Sequence, residues 1–151
     1  MITGQADIEP AVGDVQAKQA ATWEAAPPMS ISASVPAPFA AISPEEPATE
    51  AARLIVSRHI GAVPVQDRAG RLIGLVSEHD IVRVIASRAM GLRGLAVEEV
   101  MTREPVTVGP DTAPEIALEL MHRRGLRHLP VCCEEGRLLG LVGLGDLVGA
   151  S

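Results

Sequence analysis

Two residues three apart, Ser77 and Asp80 in Ser77-Glu78-His79-Asp80, hold the most concentrated chemistry in the chain. An ionised Asp only accepts hydrogen bonds, whereas a Ser hydroxyl both donates and accepts. They follow the apolar run Arg71 to Val76 and precede Ile81-Val82, so they mark a corner where a strand gives way to a helix. There Asp80 sits where an N-cap belongs, a role worth ~1 kcal/mol that needs no ligand. The same corner offers an anion the first N–H groups and the positive end of the helix. On these four residues alone the cap is the better reading. Gly143-Leu144-Gly145-Asp146 supplies a second Asp in a similar setting, with Gly143 where the hydroxyl stood.

The remaining reactive residues point away from catalysis. His59, His79, His122 and His128 form no H-x-x-x-H spacing, so structural or solvent roles are expected and no metal site. Cys132 and Cys133 are adjacent at the end of an apolar run and cannot staple distant parts of a fold. Glu134-Glu135 beside them raise a thiol pKa rather than lower it, which suits a small hydrophobe and a surface thiol better than a redox sensor. Gly140, Gly143 and Gly145 are not ordered as G-x-G-x-x-G and no long helix follows them. Arg83, Arg88 and Arg93 read as a solvated helix face, or else as a dimer contact. With no nucleophile–base pair, metal cluster or paired carboxylates, no catalytic residue is assigned and the chain is expected not to be an enzyme.

The elements that must position Ser77 and Asp80 occur twice. Pro64 and Pro130, Gly70 and Gly136, Gly74 and Gly140, and Asp80 and Asp146 are each 66 residues apart, without a gap. An internal repeat of this kind outranks any local motif. In each copy a short extended run, Phe39 to Ile42 or Pro105 to Val108, leads through a Pro turn into a helix, Thr49 to His59 or Pro114 to Gly125. In the second of these, Ile116, Leu120 and Met121 recur at helical spacing, with Leu118 alongside. Ala62 to Gln66 with Arg71 to Val76, and Leu129 to Cys132 with Arg137 to Val142, then read as hairpins with Gly in the turn. Each unit is strand–helix–strand–strand–helix, an α/β pattern, and the last helix has little room before Ser151.

Composition bounds the rest. The chain has 151 residues, 47% of them hydrophobic, and Trp23 and Phe39 are its only aromatics, so the core must be aliphatic. Residues 1–50 carry seven acids against Lys18, while residues 51–151 carry twelve acids against twelve arginines. A repeat region without basic excess is a poor nucleic-acid surface. No apolar run approaches the ~18 residues of a membrane helix, and the N-terminus lacks a secretory pattern. A reducing cytoplasm is the simplest compartment. Residues 1–38, rich in Ala and Pro, read as a flexible acidic tail with a possible short helix from Asp14 to Ala26 and a possible docking role for Trp23. Residues 39–95 form the first repeat and a link, and residues 96–151 the second. Val97 to Thr102 is a short helical lead-in to the second repeat, and Val12 to Val15 faintly matches it ahead of the first.

The ordered set of motifs resembles a tandem pair of cystathionine-β-synthase (CBS) domains, the arrangement called a Bateman module. It rests on Val97–Thr102, Val106-Thr107-Val108 with Pro110-Asp111-Thr112, Leu126 to Val131, and Gly136 to Val142. In the first copy it rests on Arg58 to Val65 and Gly70 to Asp80. The likeness covers residues 39–151 and is greatest to small stand-alone bacterial proteins of this type. It implies two pseudo-symmetric repeats packed as one module, with clefts between them that often take AMP, ATP, NADH or S-adenosylmethionine. Modules of this type commonly pair as homodimers. The family's ligand motif is Ser/Thr-x-x-Asp. Asp80 then takes two bonds from the cis-diol of a ribose, while Ser77 and the helix start face a phosphate. The adenine lies against backbone and apolar side chains near Ala40 to Ile42 and the Gly61-Ala62-Val63-Pro64 stretch. In the second copy Asp146 remains, and Arg127 and His128 either meet phosphates or stay in an exposed loop. Arg103 is a lesser candidate of the same kind. Lacking the hydroxyl at Gly143, this second cleft is expected to be weaker or empty. The resemblance thus implies a cytoplasmic regulatory module that needs no cofactor, binds an adenosine-containing ligand and signals to a protein partner. The alternative is a ligand-free dimerisation module. Neither reading involves nucleic acid or membrane.

Overall fold

A computed structural model describes residues 30–149. The expected helix from Asp14 to Ala26, Trp23 and the Val12–Val15 match lie outside the described residues. The chain divides into two compact units, residues 40–105 and residues 30–39 with 106–149.

The first of these contains α1 (Ala48–Arg58), β1 (Ala62–Gln66), β2 (Leu72–Ser77), α2 (Glu78–Ser87), α3 (Val97–Val100) and β3 (Thr102–Arg103). β1 and β2 form the expected antiparallel hairpin, pairing Ala62 with Ser77 and Val63 with Val76. Its turn is closed by Asp67, whose Oδ1 accepts the N–H groups of Ala69 and Arg71 at 2.9 Å each. Gly70 follows at φ 84, a conformation that suits Gly. β3 adds to the far side of β2 through Gly74–Arg103 and Leu75–Thr102. The extended run expected from Phe39 to Ile42 contracts to one parallel bridge, Ile42 to Val65. Ile42, Ala51, Ile55, Val63, Val65, Val76, Val84, Val97 and Met101 share an aliphatic core.

The second unit repeats the plan with α4 (Pro114–Arg124), β4 (His128–Cys132), β5 (Leu138–Gly143) and α5 (Leu144–Gly149). Val108 makes the equivalent parallel bridge to Val131. Pro at the first position of α4 and Gly125 at its end, left-handed at φ 65, set that helix's limits as the sequence suggests. Its inward face follows the expected set at Met121, with Leu118 and Leu120 packed against the same core, but Ile116 is 56% exposed and Ala117 is buried in its place.

The lead-in segments are exchanged. A 3-10 turn, Ile31–Ser34, precedes the first repeat in the chain but packs in the unit built from the second. Ile31 is wholly buried with Met121, Leu129 and Leu139, and its N–H donates to the Thr112 carbonyl at 2.8 Å. Conversely α3 precedes the second repeat and packs on the first, with Val97 and Val100 in that core. The two segments are themselves 66 residues apart. Both dock at a glycine. A Cβ on Gly74 would collide with the Met101 side chain, and one on Gly140 with Val35. The composition of residues 30–38 suggests an open tail, but one buried isoleucine anchors them to a core.

Candidate functional site

Ser77 ends β2 in extended geometry, φ −107 and ψ 168, and is the N-cap of α2. Asp80 is therefore not the cap, as the sequence suggests, but the third helical residue. The two side chains form a reciprocal capping box. The Asp80 N–H donates to Ser77 Oγ at 3.2 Å. The Ser77 N–H donates to Asp80 Oδ2 at 2.9 Å, and the Ser77 hydroxyl donates to the same oxygen at 3.0 Å. The difference arises because α2 begins directly after β2, at Glu78 rather than at Ile81, so the hydroxyl rather than the carboxylate stands at the boundary.

Asp80 and Val84 lie one helical turn apart on the inward face of α2, and the Asp80 side chain is only 6% exposed. Its second oxygen, Oδ1, accepts from Arg83 Nη2 at 2.8 Å and from the Thr102 hydroxyl at 3.1 Å. A carboxylate offers about four acceptor positions, and all are used. Burial of the charge is thus matched by two local donors, one cation and one hydroxyl from β3. Arg83 is 55% exposed, so its cation remains largely in water. Arg83 is accordingly neither a purely solvated residue nor one shown at a dimer contact. Arg88 is likewise tied down, donating to the Gly91 carbonyl at 2.6 Å.

The other expected residues distribute around this corner. The Gly61 carbonyl accepts the Glu78 N–H at 3.0 Å, which brings the start of β1 against the start of α2. The Pro64 carbonyl accepts the Ile42 N–H at 3.0 Å. Ile42, Ala62, Val63 and Pro64 are buried, leaving partly exposed Gly61 and the local backbone as the approachable groups. Arg103 donates to the Glu98 carbonyl at 3.2 Å.

The second corner keeps the backbone plan and replaces the side chains equivalent to Ser77, Arg83 and Thr102. Leu144 N–H donates to the Arg127 carbonyl at 2.8 Å, as Glu78 does to Gly61. His128 pairs with Gly143 across the hairpin. Gly143 N–H donates to Asp146 Oδ2 at 2.7 Å, the surviving half of a capping box. Asp146 is less buried than Asp80. At the 66-residue offset Ser77, Arg83 and Thr102 correspond to Gly143, Gly149 and Pro36, so the three residues whose side chains hold Asp80 have no counterparts. A Cβ at Gly143 would stand 3.4 Å from Asp146 Oδ2 and from His128 Cδ2, ordinary contact distances.

Arg83 and Thr102 are neighbours of Asp80 that the sequence does not assign to it. Arg83 carries a usable signal, since residues three apart on a helix are neighbours. Thr102 is 22 positions from Asp80 and carries none without the sheet. Elsewhere, burial pushes the Cys132 thiol up to about 12, with Cys133 adding to the shift. The Cys133 thiol donates to Glu135 Oε1 at 3.1 Å, which with a backbone bond holds that exposed carboxyl below its usual value. Among the described residues no group of His, Cys, Asp or Glu could hold a metal ion, and no helix is long and apolar enough to cross a membrane.

Known proteins share this plan. The CBS-domain family profile matches residues 33–87 and again 97–151. A 17.7 kDa protein of Acidianus ambivalens is 33% identical over 72% of this chain, which spans 65% of that protein. Inosine-5'-monophosphate dehydrogenase of Korarchaeum cryptofilum is 37% identical over 70% of this chain, which spans only 21% of the enzyme. Among solved structures, CBSX2 of Arabidopsis thaliana in complex with AMP is 26% identical. That match has a TM-score of 0.71 and covers 80% of this chain and 94% of the other. The two family matches fall on the two copies of the 66-residue repeat, and the chain belongs to the CBS-domain family, with two CBS repeats in tandem.

Proposed function

We propose that this chain is a regulatory module, without catalytic activity, that binds an adenosine-containing ligand at the Asp80 corner and passes its occupancy to a partner protein. The carrying observation is the buried Asp80 carboxylate, whose Oδ1 is held by two exposed residues, Arg83 and Thr102. Side chains in contact with water can yield their bonds to the hydroxyls of a ribose at modest cost. The AMP complex of CBSX2, a protein of the same fold, supports this ligand class. AMP, ATP, NADH and S-adenosylmethionine are the members to test, with the module acting as a homodimer in the cytoplasm. A ligand shifts such a module only through different affinities for its states. Isothermal titration of the four ligands is expected to give at least one interaction tighter than millimolar that Asp80→Asn weakens tenfold or more. Absence of binding by all four, or equal binding by Asp80→Asn, contradicts the reading.

A second reading, a ligand-free dimerisation platform, is favoured by one observation. Val82 and Ile85 of α2 are 63% and 52% exposed, on a helix whose Asp80 is satisfied without any ligand. Thermal unfolding separates the two readings, since a binding module gains stability with ligand concentration and a platform does not.

A further inference from the structure

Arg83 occupies the position at which a ligand hydroxyl would meet Asp80 Oδ1. That oxygen has room for two donors and already holds the guanidinium at 2.8 Å and the Thr102 hydroxyl at 3.1 Å. Oδ2 is closed by the capping box, whose loss would open the start of α2. Of the two Oδ1 partners, Thr102 is short and fixed in β3 through its pairing with Leu75. Its hydroxyl can also turn to accept a bond. Arg83 is long, 55% exposed, and attached to the corner by one hydrogen bond to Oδ1. It is the partner able to leave.

We infer that Arg83 is a displaceable internal counter-ion that makes the Asp80 corner selective for ligands carrying their own negative charge. This deepens, and rests on, the binding proposed above. An uncharged nucleoside that reaches Oδ1 breaks the Arg83–Asp80 pair and returns nothing to the guanidinium. A nucleotide that does the same brings a phosphate, for which the released planar fork is suited. Selection then comes from a penalty on the neutral ligand as well as attraction of the charged one. The second corner has Gly149 at the corresponding position and cannot discriminate in this way.

The test is titration of adenosine and of AMP into the full chain, wild type, Arg83→Gln and Arg83→Lys, with thermal unfolding to confirm that each variant folds. Arg83→Gln is expected to bind adenosine about fivefold more tightly and AMP more weakly, so that the AMP-to-adenosine ratio falls about tenfold, as suits one partly exposed ion pair. Arg83→Lys, which keeps the charge, is expected to restore part of the ratio. If both ligands bind wild type and Arg83→Gln with the same ratio, Arg83 does not select and the inference is overturned while the binding site stands. If neither ligand binds any of the three proteins, the inference is overturned, while the proposed function is then decided by the titrations of ATP, NADH and S-adenosylmethionine.

Discussion

The corners at Asp80 and Asp146 have the same backbone and different chemistry. Each ends a hairpin strand, begins a helix and donates an N–H to a carbonyl just before its partner strand, that of Gly61 in one and Arg127 in the other. Around Asp80 a hydroxyl, a guanidinium and a second hydroxyl converge. At Asp146 the Gly143 N–H donates to Oδ2, and Gly143, Gly149 and Pro36 stand where Ser77, Arg83 and Thr102 stand around Asp80. Folding requires only that the helix be started, and one N–H to a carboxylate suffices for that. The additional side chains at Asp80 answer the deeper burial of its charge, and two of them, Arg83 and Thr102, are exposed to water; that exposure is why ligand binding is proposed at Asp80 and not at Asp146.

The largest effect expected concerns the two halves as folding units. Ile31→Ala removes a wholly buried side chain and should cost about 3 kcal/mol, the usual range for large-to-small changes in a core. Its location is the sharper readout. Hydrogen exchange should rise in β4 and β5 rather than in β1 and β2, although Ile31 precedes the first repeat in the chain. Faster exchange confined to β1 and β2 would contradict the exchange of lead-in segments.

The corners themselves come next. Asp80→Ala breaks the capping box and leaves the Ser77 N–H and the Thr102 hydroxyl without their acceptor, at an expected cost of about 2–3 kcal/mol, whereas Asp146→Ala leaves the Gly143 N–H without its acceptor and should cost about 1 kcal/mol. Urea unfolding of the two variants measures the difference. Equal losses would show that Arg83 and Thr102 add nothing to stability. The smallest effect is a gain. Gly143→Ser fits the available space and rebuilds a capping box, raising stability by a few tenths, ~0.3 kcal/mol, over glycine at an N-cap. A fall in the urea midpoint would mean that the second corner cannot accept the first corner's residue.

The sequence carried unequal shares of this picture. The repeat, its hairpins and the positions of both Asp residues follow from Pro, Gly and apolar spacing, which local geometry enforces. Whether Ser77 or Asp80 caps the helix depends on where α2 begins, and a start at Glu78 instead of Ile81 gives the role to Ser77. Ile31-Ser32-Ala33-Ser34 and Val97-Glu98-Glu99-Val100 share little beyond an apolar first residue, so their equivalence is visible only through what they pack against. Ile116 shares the helical spacing of Leu120 and still faces outward, because apolar residues at helical spacing define a stripe only to within a residue. Thr102 reaches Asp80 because β3 pairs with β2, a long-range event with no local signature.

The inequality of the corners is tested most directly by calorimetric titration of AMP into wild type, Asp80→Asn and Asp146→Asn. One molecule bound per chain, with affinity lost in Asp80→Asn and retained in Asp146→Asn, is the predicted result. Two equivalent molecules per chain, or a loss that follows Asp146, would contradict it.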